Sequence, residues 1–420
     1  MQVINWIVDL GPSVMMPIIF FVLALCFRIK IGRAFQSAML VGIGFVGITL
    51  IINLLLESMG PAAESMVNRF GLDLTVIDPG WPVAATIGWG TPIVPFVVIG
   101  IILLNILLLF LNLTKTVNID IFNFWIYMIT GALIYTLTHN IVIATIASMI
   151  HFVVSLVIGD LTAPRIQKTF NLKGISFPHG TTAIFAPFGI ALNWVIERIP
   201  VLNRIEADPE TITKKFGILG EPLTLGFIIG GLLGVLAGFD VGSILTLGIT
   251  IAAVMVLLPK MVDVLIEGLS IIREAAEGYL GRKFPNREFY IAMDTALLIG
   301  HPAVLATGLL MIPSTLVLAV ILPGNKLLPF ADLASLSFLF AMCAPYLKLN
   351  MVRLYITGLI IMVMILYIGT DISGVFTNAA ELAHVELPEN VSDSTELANL
   401  VGGATTPLGW LLIKLALLFT

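Results

Sequence analysis

The stretch 291–308, IAMDTALLIGHPAVLATG, sets a carboxylate at Asp294 and an imidazole at His301 among apolar residues. An Asp at bilayer depth costs about 2.5–3.5 kcal/mol on insertion scales and marks a functional position by default. Such a pair can hold a polar ligand or accept a proton from a ligand hydroxyl. Each residue also has a structural reading: Asp294 opens DTAL, an N-cap pattern, and His301 precedes Pro302 at a helix break.

Three more segments carry residues of this kind. VIDPGWPVAATIGWGTP (76–92) offers Thr86 and Trp89, with Asp78 nearer the interface as a cap or gate. GISFPHGTTAIFAP (174–187) places His179, Thr181 and Thr182 between two prolines, as a re-entrant hairpin needs, and its rough counterpart is GGATTPLGW (402–410). VNIDIFNFW (117–125) brings Asn118, Asp120, Asn123 and Trp125 to the mouth of an apolar run. Asn123 and Trp125 supply an amide and a stacking face for a polyhydroxy ligand; helix initiation and interfacial anchoring explain them equally well. Both cysteines, Cys26 and Cys343, lie in apolar runs, where thiols behave as small hydrophobes. Covalent chemistry is therefore expected on another chain, and nothing calls for a metal, a cofactor or nucleic acid.

The elements that position these residues are membrane helices. The 420 residues are 58% hydrophobic and 11% charged, with mean hydropathy +1.06, far outside soluble domains. Apolar runs near 13–27, 36–56, 93–113, 121–138, 141–158, 222–238, 243–258, 303–322, 331–346, 354–369 and 406–420 are each long enough, or nearly so, for a span of roughly 20 residues. The expectation is an all-α membrane protein of about 10–11 transmembrane helices. A β-barrel would alternate apolar and polar residues, and these runs do not. The N-terminus lacks a basic leader region, so the first helix is expected in the mature chain.

Threading the spans with the N-terminus outside puts eighteen of the 21 Lys and Arg inside; Arg69 and Lys326 fall outside and Lys414 in the last span. Charged outside positions are otherwise acidic: Glu57, Glu64, Asp73, Asp78, Asp371, Glu381, Glu386, Glu389, Asp393 and Glu396. The basic inner face suits anionic lipid or a cytosolic protein.

Sliding the chain by 210 residues pairs Gly32 with Gly242, Glu57 with Glu267, Glu64 with Glu274, Gly71 with Gly281, and Asn140 with Asn350. A two-residue adjustment pairs IGW (87–89) with IGH (299–301) and Asp120 with Asp332. The segment order repeats too: two spans, an amphipathic stretch (57–75; 259–290), an interrupted segment, then three spans. Five spans is odd, so the second copy enters from the opposite side. This predicts inverted repeats at 1–210 (scaffold spans 13–56, core 76–200) and 211–420 (scaffold spans 222–258, core 291–420), with the amphipathic stretches lying at the interface. Interrupted segments at matching positions of inverted halves are where transporters bind substrate.

The motifs GIGFVGI (42–48), GPAA (60–63), GWP (80–82), PHGT (178–181), KFG with GEP (215–222), LAGFDV (236–241), DTALLIGH (294–301) and PGNKLLPFADLA (323–334) run along nearly the whole chain. Taken together, they resemble the IIC membrane components of the phosphoenolpyruvate-dependent sugar phosphotransferase system, in the galactitol branch of the ascorbate and galactitol superfamily. The chain stops at Thr420, where family members tend to continue with a further apolar segment and a basic tail. The resemblance implies a homodimeric carrier in the bacterial inner membrane, with a core moving against a scaffold as an elevator. It implies that galactitol, or a related polyol, is bound outside and phosphorylated inside by a IIB protein bearing phosphocysteine, itself charged by a IIA protein. It implies sugar contacts from Trp89, Asn123, Trp125, His179, Thr181, Thr182, Asp294 and His301. On chemical grounds, Asp294 or His301 is able to accept the hydroxyl proton if either lies near the reacting oxygen. The residues alone leave a rival open, an ion-coupled secondary transporter of a polar solute, which uses the same broken helices and buried carboxylates.

Overall fold

The computed structural model describes residues 12–71, 74–205, 207–283, 287–385 and 396–419. Asp73, Glu386, Glu389 and Asp393, counted above, lie outside the described residues, as do residues 1–11. The chain is an all-α membrane protein. Among the described residues, five helices are long and apolar enough to cross a bilayer: α2 (Ile31–Arg69), α6 (Ile141–Phe170), α9 (Val241–Lys283, its apolar part Val241–Ile272), α10 (Pro302–Ile321) and α11 (Met351–Leu382). Helices α3 (Trp81–Gly90) and α4 (Val94–Phe110) form a pair bent by 94°. The break falls at Thr91-Pro92, where Pro removes a backbone donor and disfavours helix in the residue before it. Shorter apolar helices complete the set: α1 (Pro12–Cys26), α5 (Trp125–Thr138), α7 (Thr182–Ile196), α8 (Pro222–Ala237) and α12 (Pro407–Ala416).

Helices α1, α2, α8 and α9 pack on one another. With lipid tails as apolar as leucine, what favours this is close backbone approach at small residues. A Cβ on Gly44 of α2 would sit 2.5–2.9 Å from Leu265 of α9, and one on Gly268 of α9 2.8 Å from the Val41 nitrogen. Ser37 donates to the Gly268 carbonyl across the same contact, at 2.6 Å. Large apolar side chains such as Phe35, Leu50 and Leu161 are more than half exposed, as a lipid-facing surface requires.

Three expectations are corrected. The amphipathic stretches are not separate elements: α2 continues to Arg69 and α9 to Lys283. At 39 residues α2 is about 58 Å long, so a single helix serves as span and as extension beyond the hydrocarbon. The run 331–346 is not a span. It folds as short turns, Ala331–Ser335, Ser337–Phe340 and Ala341–Cys343, with Leu336, Leu339, Phe340 and Cys343 fully buried. Broken backbone is tolerated at that depth because protein, not lipid, surrounds it. Conversely, residues 182–196, which are not among the expected apolar runs, form helix α7.

Among the described residues, six very short strands make two parallel three-stranded sheets. In one, β1 (Val76–Ile77) lies between β5 (Leu327–Leu328) and β6 (Glu396–Leu397), with Val76 opposite Leu327 and Glu396. In the other, β4 (Tyr290–Ala292) lies between β2 (Thr116–Val117) and β3 (Ile175–Ser176). Each central strand comes from one half of the chain and both its neighbours from the other. The polar segments singled out in the sequence leave the ends of these strands.

Candidate functional site

Strand β4 runs into Met293 and Asp294. Asp294 Oδ1 accepts the Ala296 backbone N–H at 2.7 Å, starting the helical turn Ala296–Ile299, so the capping reading holds. Its Oδ2 accepts the Asn123 side-chain amide at 2.6 Å. That Nδ2 also donates to Asp120 Oδ2 at 2.8 Å, so the two hydrogens of one amide bridge two carboxylates. The loop after β2 holds Asp120 in place. Asn118 Oδ1 accepts the Asp120 N–H at 3.1 Å, and the Asn118 N–H donates to Asn105 Oδ1 of α4 at 2.9 Å. Asn123 sits in the 3-10 turn Phe122–Phe124 that leads into α5, which also delivers Trp125.

Strand β3 leads to Pro178 and His179, and this loop is clamped by α5 and α6. The Tyr127 hydroxyl donates to the Pro178 carbonyl, and His151 Nε2 bonds the Gly180 carbonyl at 2.8 Å. His179 Nδ1 accepts the Thr182 N–H at 3.3 Å, which puts the proton of a neutral imidazole on Nε2. The Thr182 hydroxyl donates to the Phe338 carbonyl at 2.8 Å and lies 3.3 Å from the Thr295 hydroxyl. His179 stacks on the Phe338 ring with centroids 6.2 Å apart.

Asn123, Trp125, His179 and Asp294 line one cavity, walled by Trp81, Phe122, Phe338 and Val401. Trp125 and Trp81 stack with centroids 6.1 Å apart. Trp125 Nε1 is buried with no hydrogen-bond partner among the described residues, and so is Thr181 Oγ1. Buried polar atoms are nearly always paired, so the indole N–H of this cavity-lining residue is a donor in want of an acceptor. The lining combines one carboxylate, an amide, an imidazole and aromatic rings, which suits a neutral molecule rich in hydroxyls.

Of the eight residues expected to contact sugar, Asn123, Trp125, His179 and Asp294 come together here, with Thr182 bonded behind His179. Thr181 is buried in the same loop. Trp89 and His301 fall outside this lining. Trp89 packs half-buried on the apolar cluster of α3 to α6. His301 Nδ1 accepts the Ala303 N–H at 3.2 Å, capping α10, and its ring meets Phe170 edge-on. Thr86 bonds back to the Pro82 carbonyl. The sequence reading missed Trp81 and Phe338; the signal for Trp81 was its place directly after Asp78-Pro79-Gly80.

Two comparisons with known proteins bear on this site. The family model EIIC-GAT, described as "PTS system sugar-specific permease component", matches residues 6–390. The "PTS system galactitol-specific EIIC component" of Escherichia coli strain K12 is 39% identical over 413 residues, spanning 98% of this chain and 90% of that one. The protein of the same description from Escherichia coli O157:H7 matches with the same identity and coverage.

Proposed function

Because the chain belongs to the EIIC-GAT family of sugar-specific permease components of the phosphotransferase system, we propose that it carries galactitol or a closely related polyol across the bacterial inner membrane and presents it for phosphorylation. The observation that carries this reading is the cavity lined by Asp294 and by Asn123, whose amide also bonds Asp120, together with Trp125, whose N–H has no partner among the described residues. Hydroxyl groups of a polyol both donate and accept, so one ligand can donate to the Asp294 carboxylate and accept from an indole.

The phosphoryl donor is a phosphocysteine on a cytosolic IIB partner, recharged by IIA. Cys343 is buried, and Cys26 ends an apolar helix. In the transfer, the P–S bond of the partner breaks as a P–O bond forms to a sugar hydroxyl, whose proton leaves. The chain's part is positioning, and Asp294, in the cavity lining, is the group we propose takes that proton; His301, at the cap of α10, is the weaker candidate. The product, galactitol 1-phosphate, is charged and trapped inside.

Movement is proposed as an elevator within a homodimer. Helices α1, α2, α8 and α9 serve as scaffold and the sheets with their helices as core. The two inverted repeats, 1–210 and 211–420, are supported by the reciprocal strand pairing of the sheets and by the repeated element order. The excess of Lys and Arg in alternate loops supports an external N-terminus.

Paired interior carboxylates also suit an ion-coupled carrier, and one experiment separates the two. Cells expressing the chain with and without a matching IIB protein are given radiolabelled galactitol, and free and phosphorylated sugar are resolved. Phosphorylated product only with IIB is expected. Free galactitol that accumulates without IIB and collapses with the ion gradient overturns the proposal.

A further inference from the structure

A second pair of carboxylates, Asp78 and Asp332, lies close to the cavity and is built differently. Asp78 accepts the N–H groups of Gly80 at 3.0 Å, Phe330 at 3.2 Å and Asp332 at 2.8 Å. Asp332 accepts those of Trp81 at 2.7 Å, Leu400 at 3.1 Å and Val401 at 2.9 Å. Both are fully buried. Where Asp120 and Asp294 share a side-chain amide, these two are saturated by backbone and tie three distant segments into one knot. The approach is tight: Gly80 has φ +88°, and a Cβ there would meet the Ala331 Cβ at 2.9 Å. Only glycine adopts this conformation readily.

The knot fixes two walls of the cavity, Trp81 and Val401. Trp81 also lines a second, wider cavity, between the 59–64 part of α2, with Glu64, and the turn at 330–334. Trp81 is thus shared by the linings of the two cavities. Asp332 pins its backbone, whereas its ring rests on Trp125. Its side-chain torsions can therefore swing the ring without unpinning the first turn of α3.

We infer that Trp81 is the partition between the substrate cavity and the wider one, and that Asp332 is the positioning residue that holds it there. The inference rests on the proposed function in taking the inner cavity as the polyol site. The stack on Trp125, which must open for the ring to swing, is of a size that changes rates roughly two- to twelvefold.

The test uses the full chain in lipid nanodiscs, with Cys26 and Cys343 replaced by alanine and Phe122→Cys as a reporter in the inner cavity. Its rate of labelling by a small polar methanethiosulfonate is measured. Trp81→Ala is expected to speed labelling at least about twofold, and Trp81→Phe to speed it less. Asp332→Asn sets an amide N–H₂ against backbone donors. It should speed labelling when Trp81 is present and add less to Trp81→Ala than to the unaltered ring, because it acts through that ring as well as through the Val401 wall. Equal labelling rates with Trp, Phe and Ala at position 81 overturn the partition. Additive effects of Asp332→Asn and Trp81→Ala overturn the positioning role. Galactitol should slow labelling; if it does not while the dependence on position 81 persists, the polyol assignment fails and the partition stands.

Discussion

Trp125→Phe is the most informative single change to the proposed site, because it deletes one buried N–H and keeps a ring against Trp81. Without ligand, a buried donor lacking an acceptor costs about 1–3 kcal/mol. Removing it recovers that amount, offset by packing lost with the missing ring atoms, about 0.8 kcal/mol for each methylene-sized group. The two nearly cancel, so unliganded thermal stability should change little. Galactitol binding, by contrast, loses a hydrogen bond worth about 0.5–1.5 kcal/mol, a roughly two- to twelvefold rise in Kd. Equilibrium binding of radiolabelled galactitol to the purified protein reads this directly. Deoxy analogues of galactitol complete a double-mutant cycle: the analogue lacking the hydroxyl that Trp125 serves should bind wild type and variant alike. Unchanged galactitol affinity, or an equal loss for every deoxy analogue, would refute the assignment of this N–H to the substrate.

Asn123→Ala strips the shared donor from Asp120 and Asp294; each hydrogen bond to a charged acceptor is worth about 1.5–3 kcal/mol, so uptake should be lost and thermal stability lowered, and normal uptake by the variant contradicts the bridge. Asp294→Asn removes the proton acceptor and sets an amide N–H₂ against the donor of Asn123 or Ala296; phosphorylation by IIB should fall further than galactitol binding does, and wild-type uptake with phosphorylation excludes an essential acceptor role. His301→Asn should transport nearly as wild type, because Asn also caps helices, whereas His301→Leu should lose about 1 kcal/mol of stability; loss of transport with retained stability in the Asn variant would restore a chemical role to His301. At the membrane surface, the hydrogen bond from Lys115 Nζ at 2.7 Å, reinforced by its charge, holds Glu288 below the usual glutamate range. Its contribution to stability is present above the unfolded glutamate value and lost as pH falls through the lowered folded one. Both side chains are largely exposed, so Glu288→Gln should only slightly flatten the acid limb of a thermal-stability profile, and a large shift in melting temperature at neutral pH contradicts this.

Asn123, Trp125, His179 and Asp294 were legible in the sequence because polar residues are scarce in such a chain and these four stand where apolar runs begin or break. Composition gave no means of choosing between Trp81 and Trp89: both lie on α3, and which one meets the cavity depends on how Asp332, far along the chain, pins the first turn. His301 and Asp294 share one segment, yet the break at Pro302 sends the imidazole to the start of α10 and leaves the carboxylate at the cavity. The run 331–346 is as apolar as a true span, and periodicity cannot distinguish a buried chain of turns from a helix in lipid. The sheets were invisible because strands of two or three residues carry no period.

The reciprocal sheets also bear on the order in which the protein is made. Strand β1 leaves the ribosome early, but one of its neighbours, β6, starts at Glu396, and Val401 of the cavity wall follows it. A nascent chain can therefore insert α1 to α11 before Asp332 has the Leu400 and Val401 amides to bind. Contacts so distant in sequence close slowly. The cavity is thus closed only after those helices are made, and a chain interrupted before residue 396 would lodge in the membrane with the Val401 wall missing.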